Sequence, residues 1–193
     1  GSESLQSAME IANALRAGLS AAGLPEDAIQ LVQTKDRAAV GEMLSGLGGN
    51  IDLIVPRGGK GLNQRVQDDA RVPVIGHLEG LCHIYVDAAA DPQKAIDIAV
   101  NAKMRRTGIC GSAETLLIDQ AVASDLLPAI AAALIDAGCS LVGDEAARAI
   151  FAEMDVATED DWRTEYLAPR ISVSVVDGVR GAMAHIETYG TSH

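Results

Sequence analysis

The fold class follows from residues 83–118, which read HIYVDAAADPQKAIDIAVNAKMRRTGICGSAETLLI. The apolar run His83–Asp87 predicts a strand, and Thr115–Ile118 predicts a second one. Between them, Asp91 is a favourable N-cap residue, and Pro92 suits the first turn of a helix. A helix that connects two strands of one sheet in this way makes them parallel. This stretch therefore predicts an α/β fold built on a parallel sheet.

The same alternation of strands and helices continues in both directions from this stretch. Further strands are predicted at Ala28–Val32, Ile51–Val55, Val72–Gly76 and Ile171–Val176, and further helices at Leu5–Ala22, Asp36–Leu47, Leu62–Asp69, Asp125–Ala137, Glu145–Met154 and Val179–Thr188. Ser124 is the predicted N-cap of the helix that follows it. A change in composition near Gly76–Gly80 is the best candidate for a domain boundary.

The composition argues against several classes of function. Hydrophobic residues make up 48% of the chain but aromatic residues only 3%, so the core must consist of Ala, Val, Ile and Leu. A net charge of −12 disfavours nucleic acid and anionic membranes as partners, and no apolar run is long enough to span a bilayer. The three cysteines, Cys82, Cys110 and Cys139, form no CxxC pair, which predicts a reduced, cytoplasmic protein without a metal site.

Cys110 is the strongest candidate for a reactive group. It follows the cations Lys103, Arg105 and Arg106, and nearby positive charge stabilises the reactive thiolate form of a cysteine. The glycines on either side leave backbone N–H groups free to hold a developing oxyanion. The alternative is an inert buried cysteine, because free cysteine is among the most buried residue types. The residues alone leave both interpretations open.

A second candidate is the glycine-rich turn Arg57–Gly61, which joins a predicted strand to a predicted helix. Backbone N–H groups at such a turn and at a helix N-terminus can bind a phosphate. The turn matches neither the Walker pattern nor the full dinucleotide-binding fingerprint. An ordinary strand-to-helix turn therefore remains the alternative.

Two further segments carry polar groups with weaker signals. His77 and His83 flank Glu79, but their spacing fits no known set of zinc ligands, which favours a structural role for His83. Glu165 precedes a predicted strand in an acidic region, where a carboxylate is most often solvated. Neither segment identifies a site from its residues alone.

Read together, several runs of the chain resemble one family. The matching runs are 21–30 (AAGLPEDAIQ), 54–62 (IVPRGGKGL), 72–75 (VPVI), 82–87 (CHIYVD), 100–103 (VNAK), 110–117 (CGSAETLL) and 159–167 (EDDWRTEYL). In this order they are similar to gamma-glutamyl phosphate reductase (glutamate-5-semialdehyde dehydrogenase), within the aldehyde dehydrogenase superfamily. The resemblance implies an aldehyde-dehydrogenase-like fold, in which a Rossmann-type cofactor domain is followed by an α/β catalytic domain with a parallel sheet.

The resemblance also implies a reaction. The family reduces L-glutamyl 5-phosphate with NADPH to L-glutamate 5-semialdehyde and phosphate, in proline biosynthesis. Cys110 falls on the family's catalytic cysteine, which attacks the acyl phosphate to give a thioester. Lys103, Arg105 and Arg106 are the expected substrate-binding cations. A homo-oligomeric parent protein, which associates with glutamate 5-kinase, is expected as well.

Cofactor-binding positions carry over from the resemblance in the same way. Ser2 and Glu3 match the strand end that holds the adenosine ribose. Arg57, Gly58, Gly59 and Lys60 match the turn near the cofactor phosphates, and Glu165 matches the glutamate that contacts the nicotinamide ribose. His77 stands where hydrolysing aldehyde dehydrogenases have the glutamate that activates water.

The resemblance finally predicts two domains and a chain truncated at both ends. Residues 1–80 would form a partial NADP(H)-binding domain, and residues 81–193 would form a catalytic domain that is incomplete at its C-terminus. Two alternatives stay open. In the first alternative, the chain is a catalytically silent fragment of such an enzyme. In the second, it belongs to another acylating aldehyde dehydrogenase, one that uses a coenzyme A thioester.

Overall fold

A computed structural model describes residues 4–76 and 78–193 of the chain. The chain divides into two compact units, Gly1–Gly76 and His77–His193. The helices are α1 (Leu5–Ala21), α2 (Ala38–Leu44), α3 (Lys60–Asp69), α4 (Pro92–Met104), α5 (Gln120–Asp136), α6 (Glu145–Ile150) and α7 (Gly178–Tyr189). The strands are β1 (Cys82–Val86), β2 (Ala113–Asp119), β3 (Ser140–Gly143), β4 (Asp155–Val156) and β5 (Arg170–Val176). Within the described residues, no helix is both long and apolar enough to cross a membrane.

The first unit contains α1, α2 and α3, with less strand structure than the sequence predicts. The predicted strands Ile51–Val55 and Val72–Gly76 meet in a single parallel bridge, Ile54 with Val74. Prolines at 56 and 73 have no N–H to donate, which limits how far a ladder can extend. The predicted strand Ala28–Val32 is wrong, because a 3-10 turn over Glu26–Ala28 is followed by irregular chain.

The second unit is built on one parallel sheet of five strands in the order β1-β2-β5-β3-β4. Helices α4, α5 and α6 make the crossovers between the first four strands in chain order. The predicted parallel α/β fold is therefore confirmed. The sequence patterns missed β3 and β4, which are only four and two residues long.

The two faces of this sheet are covered by different helices. Leu116 and Ile118 of β2 pack in the main core with residues of α4, α5 and α6, whereas Leu117 packs against Ala182 of α7. Successive side chains of a strand point to opposite faces, so β2 is buried over its whole length. The small alanines of these helices allow them to approach the sheet closely, as the low aromatic content of the chain predicts.

The helix starts show where local rules succeed and fail. Asp91 is the N-cap of α4, as predicted, and its carboxylate accepts a hydrogen bond from the N–H of Lys94. Ser124 is not the N-cap of α5, because Asp119 at the end of β2 accepts from the N–H of Ala121. An aspartate that ends the strand caps the helix at once, so no loop separates β2 from α5.

Candidate active site

Cys110 lies in the loop 105–112, which joins the end of α4 to the start of β2. The loop is closed at its base, where the hydroxyl of Ser112 donates to the carbonyl oxygen of Lys103 at 3.2 Å. The N–H of Ser112 also donates to the carbonyl oxygen of Ile109 at 3.0 Å. Cys110 itself is half-buried. It therefore stands at the amino-terminal edge of the sheet, rather than at the carboxyl edge where clefts of open α/β sheets usually form.

The segment 80–82, which ends in the first residue of β1, packs directly against Cys110. The Sγ of Cys82 lies 3.4 Å from the carbonyl oxygen of Cys110. A Cβ added at Gly80 would lie 2.3 Å from that same oxygen, so only a glycine permits this approach. Cys110 and the segment 80–82 are thus in van der Waals contact.

Glu165 reaches the same edge of the sheet from a distant part of the chain. Its Oε1 accepts a hydrogen bond from the N–H of Gly80 at 3.0 Å. The hydroxyl of Thr191 likewise accepts from the N–H of Leu81 at 3.1 Å. Two predicted site residues, Cys110 and Glu165, are therefore connected through Gly80. Sequence reasoning missed Gly80 and Thr191, because neither belongs to a motif with a chemical signature.

The other two cysteines are kept in the thiol form. Burial raises the pKa of Cys82, and the negative charges of Cys110, Glu114 and Glu165 raise it further. Burial also raises the pKa of Cys139 to about 11. Both thiols are consequently poor nucleophiles near neutral pH.

Lys103 differs from the expectation of a cation that faces substrate. Its side chain is completely buried, and its Nζ lies 2.6 Å from Oε2 of Glu114, which is 1% exposed. Burial raises the pKa of Glu114, although the Lys103 ammonium and two backbone N–H groups oppose this rise. Glu114 is a charged residue at the start of an otherwise apolar strand, which indicates a buried carboxylate, but the sequence does not identify Lys103 as its partner. Lys103 is thus a core residue and has no access to a substrate in this structure.

Arg105 and Arg106 are exposed and remain available to an anion. Together with Asn101, Ala102, Ile109, Gly111 and Ser112, they line a cavity of about 380 Å³. Cys110 does not line this cavity, although its neighbours on both sides do. The two cations also follow the C-terminus of α4, where positive charge offsets the helix dipole. The two arginines can therefore stabilise the C-terminus of α4 and can also bind an anion in the cavity.

The predicted cofactor-binding residues of the first unit are described in part. Arg57, Gly58 and Gly59 are exposed, and Gly59 occupies the N-cap position of α3. Lys60 is the first residue of α3. Ser2, Glu3 and His77 lie outside the described residues. Among the described residues, no three His, Cys, Asp or Glu side chains are grouped as metal ligands.

Comparisons with known proteins agree with one another. The model of the aldehyde dehydrogenase family matches residues 2–149. Gamma-glutamyl phosphate reductase from Hyphomonas neptunium is 62% identical over all 193 residues of the chain, which cover 45% of that protein. Gamma-glutamyl phosphate reductase from Caulobacter vibrioides is also 62% identical, with 47% of its length covered. The chain thus spans about half the length of the curated relatives it matches.

A solved structure is similar over the same extent. The crystal structure of gamma-glutamyl phosphate reductase from Thermotoga maritima superposes with a TM-score of 0.93 at 41% identity, and the match covers all of this chain and 46% of that one.

Proposed function

The chain belongs to the aldehyde dehydrogenase family, and on that premise we propose that it is part of a reductase that converts L-glutamyl 5-phosphate to L-glutamate 5-semialdehyde with NADPH. The observation that carries the proposal is the contact of Cys110 with Gly80, whose N–H is held by Glu165. The family resemblance assigns Cys110 to the thioester and Glu165 to the cofactor ribose, and both residues contact Gly80 at one edge of the sheet. The high identity to gamma-glutamyl phosphate reductases supports the choice of substrate.

In the proposed reaction, the Cys110 thiolate attacks the acyl carbon of the substrate. The bond from that carbon to the phosphate oxygen breaks, phosphate leaves, and a thioester with Cys110 remains. Arg105 and Arg106 bind the phosphate group in the cavity beside the cysteine loop. The raised pKa values of Cys82 and Cys139 disfavour these two thiols as the nucleophile and so support Cys110 in that role.

The described residues fit a nicotinamide cofactor. In the first unit, Gly58 and Gly59 are exposed before the N-terminus of α3, where backbone N–H groups can bind a phosphate, and the exposed Arg57 supplies a cation. In the second unit, Glu165 offers a carboxylate to a ribose hydroxyl. When bound, NADPH supplies the hydride that reduces the thioester to the aldehyde and returns the Cys110 thiolate. The proposal includes a cytoplasmic, homo-oligomeric enzyme that associates with glutamate 5-kinase.

Alkylation of the chain by iodoacetamide tests the role of Cys110. We expect Cys110 to react faster than Cys82 and at least about tenfold faster than Cys139 at neutral pH, because the raised pKa values of those two lower their thiolate fraction. Peptide mass spectrometry gives the three rates, and Cys110→Ser is the control that removes the fast site. Equal rates at the three cysteines would contradict the proposal.

The full-length protein tests the reaction itself. With glutamate semialdehyde, NADP⁺ and phosphate, the reverse reaction should form NADPH, and Cys110→Ser should lower its rate by about 1,000-fold or more. Replacing phosphate by coenzyme A separates the two acylating chemistries. Turnover with coenzyme A alone would overturn the choice of an acyl phosphate.

A further inference from the structure

A buried ion pair lies behind the candidate site. Lys103 and Glu114 are 0% and 1% exposed, and they are joined at 2.6 Å. Removing two charges from water costs free energy that their attraction often fails to recover, and apolar residues of similar size are commonly as stable. Stability is therefore a weak reason for this pair.

The pair is connected to both segments that form the site. The carbonyl oxygen of Lys103 accepts from the Ser112 hydroxyl, which closes the base of the Cys110 loop. Glu114 lies four residues after Cys110 in the chain, and its Oε1 accepts a hydrogen bond from the N–H of Leu167 at 3.4 Å. The N–H of Tyr166 donates to the same carboxylate. Glu114 thus holds the two residues that directly follow Glu165.

The segment after Glu165 needs such support. Leu167 has a positive φ of 50°, a left-handed conformation that residues with a side chain rarely adopt. The neighbouring Tyr166 ring lies 5.8 Å from the Nζ of Lys103, and its hydroxyl bonds to Asp161 and Ser172. Both members of the ion pair therefore contact the chain that fixes the direction of Glu165.

We propose that Lys103 and Glu114 are positioning residues, which set the Glu165 carboxylate against Gly80 and thereby against the Cys110 loop. The inference rests on the proposed function, because it assigns the pair to the geometry of that same site. Neither residue contacts the reacting atoms. Their effect passes through Tyr166 and Leu167 to Glu165, and through the Lys103 carbonyl to the cysteine loop.

Amide hydrogen exchange on the chain tests the inference without any need for activity. The variant Lys103→Met with Glu114→Leu replaces the pair by apolar residues of similar length. We expect the Gly80 amide, which Glu165 binds and Glu114 does not touch, to exchange at least about tenfold faster in this variant. The Leu81 amide, which Thr191 binds, is the matched reporter and should change less than about twofold.

The outcomes separate positioning from stability. An unchanged Gly80 amide in the folded double variant overturns the inference, and so does an equal rise at Gly80, Leu81 and the core amide of Leu116. If the double variant does not fold, Glu114→Gln decides, since it keeps the volume and one oxygen while removing the charge. It should raise Gly80 exchange by about threefold relative to Leu81, and no difference between the two amides overturns the inference.

The full-length enzyme supplies a second readout. If the pair acts through Glu165, the double variant should raise the KM for NADP⁺ about as Glu165→Gln does, and combining the two changes should add little. Fully additive effects would overturn the inference. Failure of the proposed function would instead be seen as an inactive wild-type enzyme, with the exchange result unaffected.

Discussion

The two edges of the parallel sheet are organised by hydrogen bonds of different range. At the carboxyl edge, Asp119 and Asp144 accept from backbone N–H groups two and three residues further along the chain, at Ala121 and Ala147. At the amino edge, the bond from Gly80 to Glu165 spans 85 residues and that from Leu81 to Thr191 spans 110. The carboxyl edge thus caps its helices locally and carries further hydrogen bonds that span 30 to 57 residues, whereas these two bonds at the amino edge join segments that lie farther apart in the chain.

This difference indicates which edge can carry chemistry. Aspartates occupy the ends of the strands at the carboxyl edge, and their carboxylates are already used as helix caps or turn acceptors. The amino edge holds the cysteine loop, a half-buried glutamate and the cavity beside two arginines. Substitutions at the amino edge should therefore change both reactivity and stability, and those at the carboxyl edge should change stability alone.

The largest effect is expected from Gly80→Ala at the amino edge. Its Cβ would meet the Cys110 carbonyl oxygen at 2.3 Å and the carbonyl carbon at 3.0 Å, and backbone atoms cannot move aside like a flexible side chain. Overpacking of this kind should lower the free energy of unfolding by about 3 kcal/mol. Urea unfolding measures the loss, and iodoacetamide alkylation should report a changed rate at Cys110.

Gly111→Ala is the matched control for this prediction. Gly111 follows Cys110 directly, yet an added Cβ there meets no atom within 4 Å. Its effect on the free energy of unfolding should stay within about 0.5 kcal/mol. Similar losses for the two variants would show that the close approach of Gly80 does not hold the loop.

Asp144→Ala should produce the largest effect at the carboxyl edge. The Asp144 carboxylate accepts three hydrogen bonds, from the N–H of Ala147, the hydroxyl of Ser174 and the N–H of Val175. Its loss should lower the free energy of unfolding by about 2 kcal/mol, because it removes a cap and leaves buried donors unpaired. The rate of Cys110 alkylation should stay within about twofold of wild type, since the proposed nucleophile lies at the other edge.

Asp177→Ala provides the comparison at the same edge. Asp177 is exposed and makes no capping bond to α7, although it accepts from the side chain of Gln120. It should cost less than about 0.5 kcal/mol. A change in Cys110 reactivity for either aspartate variant would contradict the division between the two edges.

The sequence separation of the hydrogen-bonded residues also explains which features could be predicted from the sequence. Periodicity and capping are local, so the strands around residues 83–118, the start of α4 and the parallel sheet were all predicted correctly. The N-cap at Ser124 was wrong because Asp119, the last residue of β2, caps α5 five residues earlier in the chain. Strands as short as β3 and β4 carry too few residues to show a period.

Most of the site depends on tertiary contacts that local rules do not address. Cys110, Arg105 and Arg106 were predicted from their spacing together with the family resemblance, and their roles remain predictions. The burial of Lys103 with Glu114 was not predicted, because the sequence places both residues beside the cysteine but does not say which way either points. The role of Gly80 follows only from the tertiary structure, which places Glu165 and Cys110 on either side of it.

The smallest effect is an acid sensitivity expected at the amino edge. His185 of α7 packs in a ring cluster with His83, Trp162 and Tyr189, with ring centroids 4.6–5.5 Å away. Burial, together with the neighbouring His83, lowers the pKa of His185 from 6.5 to about 4. The folded chain therefore keeps this ring neutral between pH 6.5 and pH 4, whereas the unfolded chain binds a proton there. The stability due to the neutral ring is complete above pH 6.5 and is lost as the pH falls towards 4.

His185→Phe isolates this contribution, because it keeps an aromatic ring in the cluster and removes the titrating group. Since the ring is only half-buried, we expect wild type to lose about 1–2 kcal/mol more than the variant between pH 7 and pH 4.5. Thermal unfolding of both proteins at a series of pH values measures the difference, and titrating carboxylates affect the two equally. Parallel curves would show that the cluster is not the acid-sensitive part of this edge. If wild type loses more than about 2 kcal/mol relative to the variant, His83, whose pKa is also lowered by burial, titrates together with His185.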